Sequence, residues 1–367
     1  MQDRSLAYAA KAIGNFLEIR KMSLSLFRAV LAHAVIAISV ASIFTSSASA
    51  QSAAPDTRNW ATVLDAAKKE GTVFFYSAQA VPVLQRLSDG FRKAYPTIKV
   101  EFTRMNSGPM IARLDQERTS GADGADVAMP TDYAWMRSRV KEGQLSRPIG
   151  PSMRDWPANF LHEGHFVTGS YEPFVLAYNS KVVSRPPRAY TDLLAAEFKG
   201  KLGIPEAPAA VIIAWYDWLD KTQGMDFPSK IMAQDPKVFI SSPPLAQAIA
   251  SGEINASLLN NPSSMRALVD NGAPIAFNVP DPAFAFANYV AAFRWSKRPN
   301  AGLVLLDWLM SRDGQAVWCG TGESASPLKG IAGALQVPGS VTFYDPDQWS
   351  PEAQKRYVER YNRVYRK

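Results

Sequence analysis

The sequence predicts an α/β protein with two lobes, each built around its own sheet, and two observations lead to this fold class. The order strand, polar turn, helix occurs three times between residues 70 and 145. The same order starts again after about residue 172 and continues through much of the remaining chain. Strands connected through helices are typical of parallel sheets, and each series is long enough to form a sheet of its own.

The first series combines β-rich apolar runs with apolar residues at helical spacing. Val73, Phe74 and Phe75 follow a polar break, whereas Ile98 and Val100 alternate with polar residues. Both patterns are typical of strands. The predicted strands cover 71–76, 98–102 and 126–129, and the predicted helices cover 82–95, 110–114 and 135–140.

Short polar turns follow these three strands, and their residues are candidate ligand contacts. The carboxyl ends of parallel strands meet at one edge of a sheet, where the following helices direct their N-termini towards a ligand. The candidates from the first series are Ser77, Ala78, Gln79, Ser107, Gly108, Thr131, Asp132 and Tyr133. Ser, Thr, Asn and Asp also cap helices frequently, so capping is the alternative role for these polar side chains.

The second series predicts a second lobe with its own ligand-facing edge. Its predicted strands are 171–179, 200–205, 256–259, 274–278 and 287–293, and its predicted helices are 191–194, 212–219, 245–252, 265–270, 303–310, 315–318 and 351–365. The chain is expected to cross between the lobes at 171–178 and near 287–293. The candidate ligand residues here are Tyr171, Glu206, Ala209, Asn260, Asn261, Ser263 and Asp281. The spacing of Trp215, Tyr216 and Trp218 favours a packed helix face over a ligand platform.

The first 50 residues are interpreted as an N-terminal extension followed by a signal peptide. Lys21 and Arg28 supply positive charge, residues 29–44 are mostly apolar, and residues 48–50 form a small-residue cleavage site. A retained membrane helix is the alternative, but the run is short for a hydrocarbon core of roughly 30 Å. Met22 is the natural start of this signal. We therefore expect export to the periplasm and a mature chain of residues 51–367.

Charge and cysteine content argue against a nucleic-acid partner and exclude a fold held by disulfides within the chain. Residues 51–367 carry 35 basic and 31 acidic side chains, a mild net charge of +4. This balance predicts no nucleic-acid partner. Cys319 is the only cysteine, so no disulfide can form within the chain.

No catalytic, cofactor or metal motif emerges from the sequence. His162 and His165 lie three residues apart, but no pattern supplies a third metal ligand. Ser326 and Lys329 match the spacing S-x-x-K, yet the accompanying motifs of that enzyme class are in the wrong order. Nucleophile-elbow, phosphate-loop and dinucleotide signatures are missing from the sequence. The sequence therefore predicts a protein that is not an enzyme, with no cofactor and no bound metal.

Several runs occur in the order and spacing of a known family. They are VFFYS at 73–77, FRKAYPTIKV at 91–100, ADV at 125–127, EGQL at 142–145, LAYN at 176–179, FKGKLGIP at 198–205 and the stretch 300–315. The chain resembles the bacterial extracellular solute-binding proteins of ABC importers, in the branch that contains ferric-ion-binding proteins. This resemblance implies a two-lobed periplasmic binding protein of type II, with a hinge and an interlobe cleft. It also implies a monomer that delivers a small-molecule ligand to an inner-membrane ABC permease and its ATPase.

The predicted lobes follow from this resemblance and from the two crossovers. Lobe 1 is expected to comprise residues 51–171 plus about 283–330. Lobe 2 is expected to comprise residues 172–282 plus about 331–367, after an N-terminal extension and signal peptide at 1–50.

One departure from the family pattern bears on the ligand. Ferric members hold the metal with a Tyr-Tyr pair placed after Asn-Asn, whereas here Asn260 and Asn261 are followed by Pro262 and Ser263. Ferric ion prefers anionic oxygen donors, so the loss of both phenols argues against that iron site. The expected ligand is a small organic anion or zwitterion: a phosphonate, a phosphorylated compound or a carboxylate. The alternatives are a ferric receptor with non-tyrosine ligands and a secreted hydrolase or transferase.

Overall fold

The computed structural model describes residues 59–206, 210–337, 339–345 and 351–365. The signal peptide and start predicted within residues 1–50 lie outside the described residues, and so does Ala209. Within the described ranges, no helix has the length and apolar character needed to cross a membrane.

Helices and strands alternate along most of the chain, as the sequence predicts. The α-helices are α1 (Trp60–Glu70), α2 (Val81–Ala94), α3 (Ser107–Ser120), α4 (Tyr133–Lys141), α5 (Ala210–Gln223), α6 (Phe227–Met232), α7 (Ser242–Ser251), α8 (Pro262–Asp270), α9 (Pro299–Met310), α10 (Arg312–Cys319) and α11 (Pro351–Tyr365). The strands are β1 (Thr72–Ser77), β2 (Lys99–Arg104), β3 (Val127–Met129), β4 (Leu161–His162), β5 (Phe166–Pro173), β6 (Val175–Asn179), β7 (Leu202–Pro205), β8 (Lys237–Phe239), β9 (Ala256–Asn260), β10 (Ile275–Asn278), β11 (Ala283–Ala292) and β12 (Val341–Phe343).

The first sheet has the strand order β2-β1-β3-β11-β5-β4, and β12 pairs with β11. β1 is parallel to β2 and β3. β11 is antiparallel to both β3 and β5. The predicted parallel arrangement is confirmed for β1, β2 and β3, the three strands on which it rests, whereas β11 joins the same sheet antiparallel to β3. The reason is that β11 enters from the second sheet and not through a helix on the first, so it runs in the opposite direction.

The second sheet has the order β10-β6-β9-β7-β8. β7 is parallel to β8 and β9, whereas β6 is antiparallel to β9 and β10. This sheet is also mixed. The predicted fold class of two α/β lobes is confirmed, with antiparallel strands in each sheet.

The chain passes between the sheets at two places that the sequence located approximately. The predicted strand 171–179 is two strands: β5 belongs to the first sheet and β6 to the second, with Phe174 between them. The return passage lies between β10 and β11, at residues 279–282, and therefore slightly before the predicted position near 287. The residue boundaries of the lobes stay a prediction.

Each sheet has its own hydrophobic core. The first core packs α1, α2, α9 and α10 against the first sheet, with Phe91, Trp308 and Trp318 among its largest side chains. Ile331 and Ala334 also pack in this core. The second core contains Trp215, Tyr216 and Trp218, which confirms their predicted structural role, and three tyrosines of the tail helix α11.

Candidate functional site

A cavity of about 540 Å³ lies where elements of the two sheets approach each other, and we call it the interlobe cleft. Its volume is in the range typical of small-molecule sites. Its lining residues are Ala78, Gln79, Ala80, Pro82, Val83, Arg86, Arg104, Thr131, Glu172, Pro243, Ser263, Ser264, Arg266, Ala267, Asp270, Phe286, Asn288, Thr321 and Glu323.

Four of the predicted site residues line this cleft: Ala78, Gln79, Thr131 and Ser263. Ala78 and Gln79 directly follow β1, and Thr131 comes two residues after β3. Both strands are parallel, so their carboxyl ends open at the same edge. Ser263 approaches from the other lobe, in the first turn of α8.

Further predicted residues shape these turns from behind the cleft surface. The hydroxyl of Ser77 is buried and accepts a hydrogen bond from the backbone N–H of Gln79, 3.1 Å away. The Ser107 Oγ lies 3.0 Å from the Thr131 Oγ1 and accepts from the Thr131 backbone N–H at 3.0 Å. Gly108, in the first turn of α3, faces open space and is not a lining residue.

Asn260, the last residue of β9, and Asn261 form the turn into α8. Buried Asn260 accepts a hydrogen bond from the Asn261 backbone N–H at 2.9 Å. The Asn261 side chain donates to the Ser263 Oγ at 2.6 Å and accepts from the Ser264 Oγ at 2.8 Å. These amides are hydrogen-bonded within the turn, and the Asn261 amide contacts both Ser263 and Ser264. The pair therefore positions the two cleft serines and does not itself line the cleft.

The remaining predicted residues point elsewhere, because neighbouring residues of a turn or strand direct their side chains differently. Asp132 caps α4 by accepting from the Trp135 backbone N–H at 2.8 Å, the alternative role considered from sequence. Tyr133 lines a separate cavity. Three others also lie away from the cleft: Tyr171 stacks on Phe160, Glu206 lines a pocket beside the tail helix, and Asp281 accepts from the Ser340 backbone N–H.

The structure adds charged side chains that sequence reasoning missed. They are Arg86, Arg104 and Arg266 with Glu172, Asp270 and Glu323. Most of these residues lie on helix faces or within strands and not in the polar turns that follow strands. Arg104 was predictable, because it ends β2 and lies three residues before Ser107, a candidate ligand residue.

Two of the three cleft arginines are paired. An Arg86 nitrogen lies 3.2 Å from a Glu323 carboxylate oxygen. Arg266 pairs with Asp270 in the next turn of α8, and it also donates to the Thr321 carbonyl at 2.7 Å across the cleft. Exposed Arg104 has neither an ion pair nor a hydrogen bond from its guanidinium within the described parts of the chain.

Glu172 is a buried carboxyl group at the floor of the cleft. Only 3% of the residue is exposed, and its carboxylate accepts a hydrogen bond from the Ser263 Oγ at 2.7 Å. Burial raises the pKa of Glu172 to about 7, although hydrogen bonds from Ser263 and Asn261 oppose this effect. Because Glu172 belongs to β5 and Ser263 to α8, this bond joins elements of the two lobes.

The raised pKa of Glu172 predicts a pH dependence of stability. The unfolded chain loses this proton near pH 4.5 and the folded protein near pH 7, so the stabilising contribution is full below pH 4.5 and is lost as pH rises through 7. The loss should amount to roughly 3–4 kcal/mol, since each unit of pKa difference corresponds to about 1.4 kcal/mol. Urea unfolding between pH 4 and 8 should show this decline for the natural protein relative to Glu172→Gln.

Glu101→Gln is the matched control, since it removes an exposed carboxylate outside the cleft. It should not flatten the profile. Parallel pH profiles for the natural protein and Glu172→Gln would contradict the assignment.

The comparisons with known proteins bear on this geometry. A sequence model of the bacterial extracellular solute-binding proteins matches residues 77–316. The chain belongs to this family. No curated protein matches it. The resemblance predicted from the sequence is thus confirmed, and family membership indicates a solute-binding receptor that works outside the cytoplasm.

Solved structures with a similar fold cover about four fifths of this solute-binding protein. The substrate-binding protein of an ABC transporter from Agrobacterium tumefaciens has a TM-score of 0.64 at 18% identity, covering 82% of this chain and 97% of that one. Iron-bound HitA from Pseudomonas aeruginosa has a TM-score of 0.61 at 13% identity, with coverages of 79% and 98%. AfuA from Actinobacillus pleuropneumoniae, with fructose-6-phosphate bound, has a TM-score of 0.55 at 16% identity, with coverages of 80% and 98%. At these identities the likeness shows the two-lobed fold alone.

Proposed function

We propose that this solute-binding protein captures a small organic anion or zwitterion in the interlobe cleft and delivers it to an ABC permease. The ligand classes are phosphonates, phosphorylated compounds and carboxylates. The observation that carries the proposal is Arg104, a cleft guanidinium without an ion pair among the described residues.

The charge balance of the cleft supports an anionic ligand. Arg86 and Arg266 are each offset by an acidic partner. Glu172 is largely protonated below pH 7, because burial raises its pKa to about 7. Arg104 then leaves one positive charge in excess, and its planar guanidinium can bind a carboxylate or phosphate through two hydrogen bonds.

Neutral polar groups around this charge would bind the rest of the ligand. Gln79, Thr131 and Asn288 offer hydrogen-bonding side chains from the first lobe. The Ser263 and Ser264 hydroxyls of the second lobe donate to Glu172 and Asn261, so they would bind an anion by turning away from these partners. The first turns of α2 and α8 also border the cleft. Helix N-termini favour negative charge nearby, which adds to the attraction of an anion.

Contacts across the cleft suggest how ligand binding is coupled to transport. The Ser263–Glu172 and Arg266–Thr321 hydrogen bonds connect α8 with β5 of the first sheet and with the segment that follows α10. A ligand held between Arg104 and the α8 serines would favour the closed arrangement over an open one. We propose that the closed monomer docks on the permease, which uses its ATPase to move the ligand inwards. Export to the periplasm through the signal peptide predicted at residues 22–50 belongs to the same proposal.

The chemistry of the cleft gives less support to ferric ion as the cargo. Asn260 and Asn261 are followed by Pro262, whose side chain has no metal-ligating atom, and by Ser263, whose hydroxyl donates a hydrogen bond to Glu172. An iron site would have to recruit Glu172 and Glu323, but Glu323 is paired with Arg86 and Glu172 favours its neutral form. Within the described ranges, no three His, Cys, Asp or Glu side chains form a group suited to a metal ion.

A thermal-shift panel on the purified protein tests the proposal. Phosphonates, sugar phosphates, carboxylates, amines, amino acids and ferric citrate are compared at equal concentration. A ligand at 100 times its dissociation constant adds about 2.7 kcal/mol to stability, which raises the melting temperature by several degrees. The expected result is a shift by one anionic class without a shift by ferric citrate.

Two outcomes would contradict the proposal. A shift by ferric citrate alone, with a coloured complex, would show that iron is the cargo. Conversion of the bound compound to a product during incubation would indicate the hydrolase alternative, since a receptor releases its ligand unchanged.

A further inference from the structure

A second cavity of about 260 Å³ lies apart from the interlobe cleft, and we call it the aromatic cavity. Six of its lining residues carry an aromatic or imidazole ring. The lining residues are Tyr133, Asn159, Phe160, His162, Thr168, Ala287, Tyr289, Phe343, Tyr344 and Asp345.

The two cavities lie on opposite faces of the ribbon formed by β5 and β11. Side chains alternate along a strand, so Phe286 and Asn288 face the cleft whereas Ala287 faces the aromatic cavity. An irregularity in the pairing between Asn288 and Tyr289 keeps Tyr289 opposite Thr168, on the aromatic side. A ligand in one cavity is therefore separated from the other by the ribbon itself.

The rings of the aromatic cavity pack edge to face. The centroid of Tyr133 lies 5.4 Å from that of His162 at an interplanar angle of 84°, and His162 lies 5.5 Å from Tyr289 at 81°. Such clusters orient different rings in different directions, so both ring faces and ring edges border the space between them. The electron-rich face of a tyrosine or phenylalanine attracts a cation.

Two carboxylate charges, those of Asp132 and Asp345, act on the rings of this cavity. Asp345 lines it, and the carboxylate charges of Asp132 and Asp345 raise the pKa of Tyr344, in addition to the larger effect of burial. Burial lowers the pKa of His162 to about 4, so its imidazole is neutral at physiological pH. The guanidinium of Arg137 lies 5.9 Å from the Tyr133 centroid and is paired with Glu163 at 2.7 Å.

We propose that the aromatic cavity is a second binding site, specific for a small organic cation of the quaternary ammonium class. The rings would surround the methyl groups of the cation, while Asp345 balances its charge. A bulky ammonium group of this class keeps few tightly bound waters, so transfer to an aromatic pocket is favourable where a metal ion or a primary amine would lose its hydration. This site does not depend on the anion proposed for the interlobe cleft.

Calorimetric titration of the purified protein with choline and with 3,3-dimethyl-1-butanol tests the proposal. The two compounds have nearly the same shape, but only choline is charged. We expect saturable choline binding that is at least about tenfold tighter than binding of the neutral compound. Equal affinities, or no choline binding, would overturn the proposal.

Three variants show where the cation binds. Tyr344→Leu removes a ring but keeps apolar packing against the second core, and Asp345→Asn removes the charge at nearly constant volume. Each should weaken choline binding by about tenfold or more. Arg104→Ala, in the interlobe cleft, should leave choline affinity unchanged.

Other results would point elsewhere. Choline binding at the natural affinity in both Tyr344→Leu and Asp345→Asn would refute the second site, and tighter binding by Arg104→Ala, which removes a positive charge from the cleft, would place the cation there. If Tyr344→Leu melts too early to be titrated, Asp345→Asn decides alone. The anion ligand found by thermal shift should bind Tyr344→Leu and the natural protein equally, so failure of the anion proposal is separable from failure of this one.

Discussion

Replacement of Arg104 by alanine should weaken binding of the organic anion by roughly 10- to 150-fold. This range corresponds to the loss of a charge-assisted hydrogen bond, about 1.5–3 kcal/mol. Arg104 ends β2 at the cleft and makes no ion pair or hydrogen bond through its side chain in the described part of the protein. The substitution should therefore change affinity and leave the melting temperature of the free protein nearly unchanged. Calorimetric titration with the ligand selected by the thermal-shift panel measures the effect.

Two further variants make this experiment specific. Arg104→Lys keeps the charge but cannot form the two parallel hydrogen bonds of a guanidinium, so it should have an intermediate affinity. Arg185→Ala removes an exposed arginine that does not line the cleft, and it should bind like the natural protein. If Arg104→Ala binds the anion as tightly as Arg185→Ala does, the charge argument for the ligand class is wrong.

Arg298→Ala should lower the free energy of unfolding by about 3–5 kcal/mol, the usual effect of leaving a buried ion without its partner. Asp126 has no exposed surface, and its carboxylate accepts from the Arg298 Nε at 2.8 Å. The same carboxylate accepts from the Phe74 backbone N–H at 2.7 Å and from the Ser296 Oγ at 2.6 Å. The Arg298 guanidinium also lies 4.0 Å above the Phe74 ring. This cluster joins β1, the residue that precedes β3 and the segment that follows β11. The turns after β1 and β3 line the cleft.

Urea denaturation followed by tryptophan fluorescence measures this loss. Arg298→Lys should recover only part of the stability, because a single ammonium group cannot bond Asp126, Asp123 and the Gly124 carbonyl together, as the guanidinium does. Arg185→Ala again serves as the matched surface control. A loss smaller than about 0.5 kcal/mol for Arg298→Ala, the usual range for a surface substitution, would show that Asp126 is adequately stabilised by its other donors.

The sequence determined the elements that depend on local pattern. The apolar runs of β1 and β2, the helical spacing of α2 and the packed aromatic face of α5 are all predicted from a few neighbouring residues, and the structure confirms them. The direction of β11 was not predictable in this way, because it depends on which sheet the preceding strand belongs to. The division of 171–179 into β5 and β6 is likewise a property of the two sheets and not of the local sequence.

The same distinction applies to the candidate site. Residues in the turns after parallel strands are predictable as candidates, and Ala78, Gln79 and Thr131 do line the interlobe cleft because the carboxyl ends of the strands share one edge. Asp132 and Tyr133 satisfy the same rule, but the turn after β3 directs them into a helix cap and into the other cavity.

Only the tertiary structure decided which charges meet. Arg86, Glu172, Arg266 and Glu323 come from four separate regions of the chain, and they approach one another because the two lobes pack across a cleft. Composition and spacing determined that this is a two-lobed α/β protein without disulfides. The electrostatics of the cleft depend on burial and on pairings between residues distant in the sequence. Solvation and Coulomb interactions are set by distances in space, and those distances are fixed only when the chain has folded.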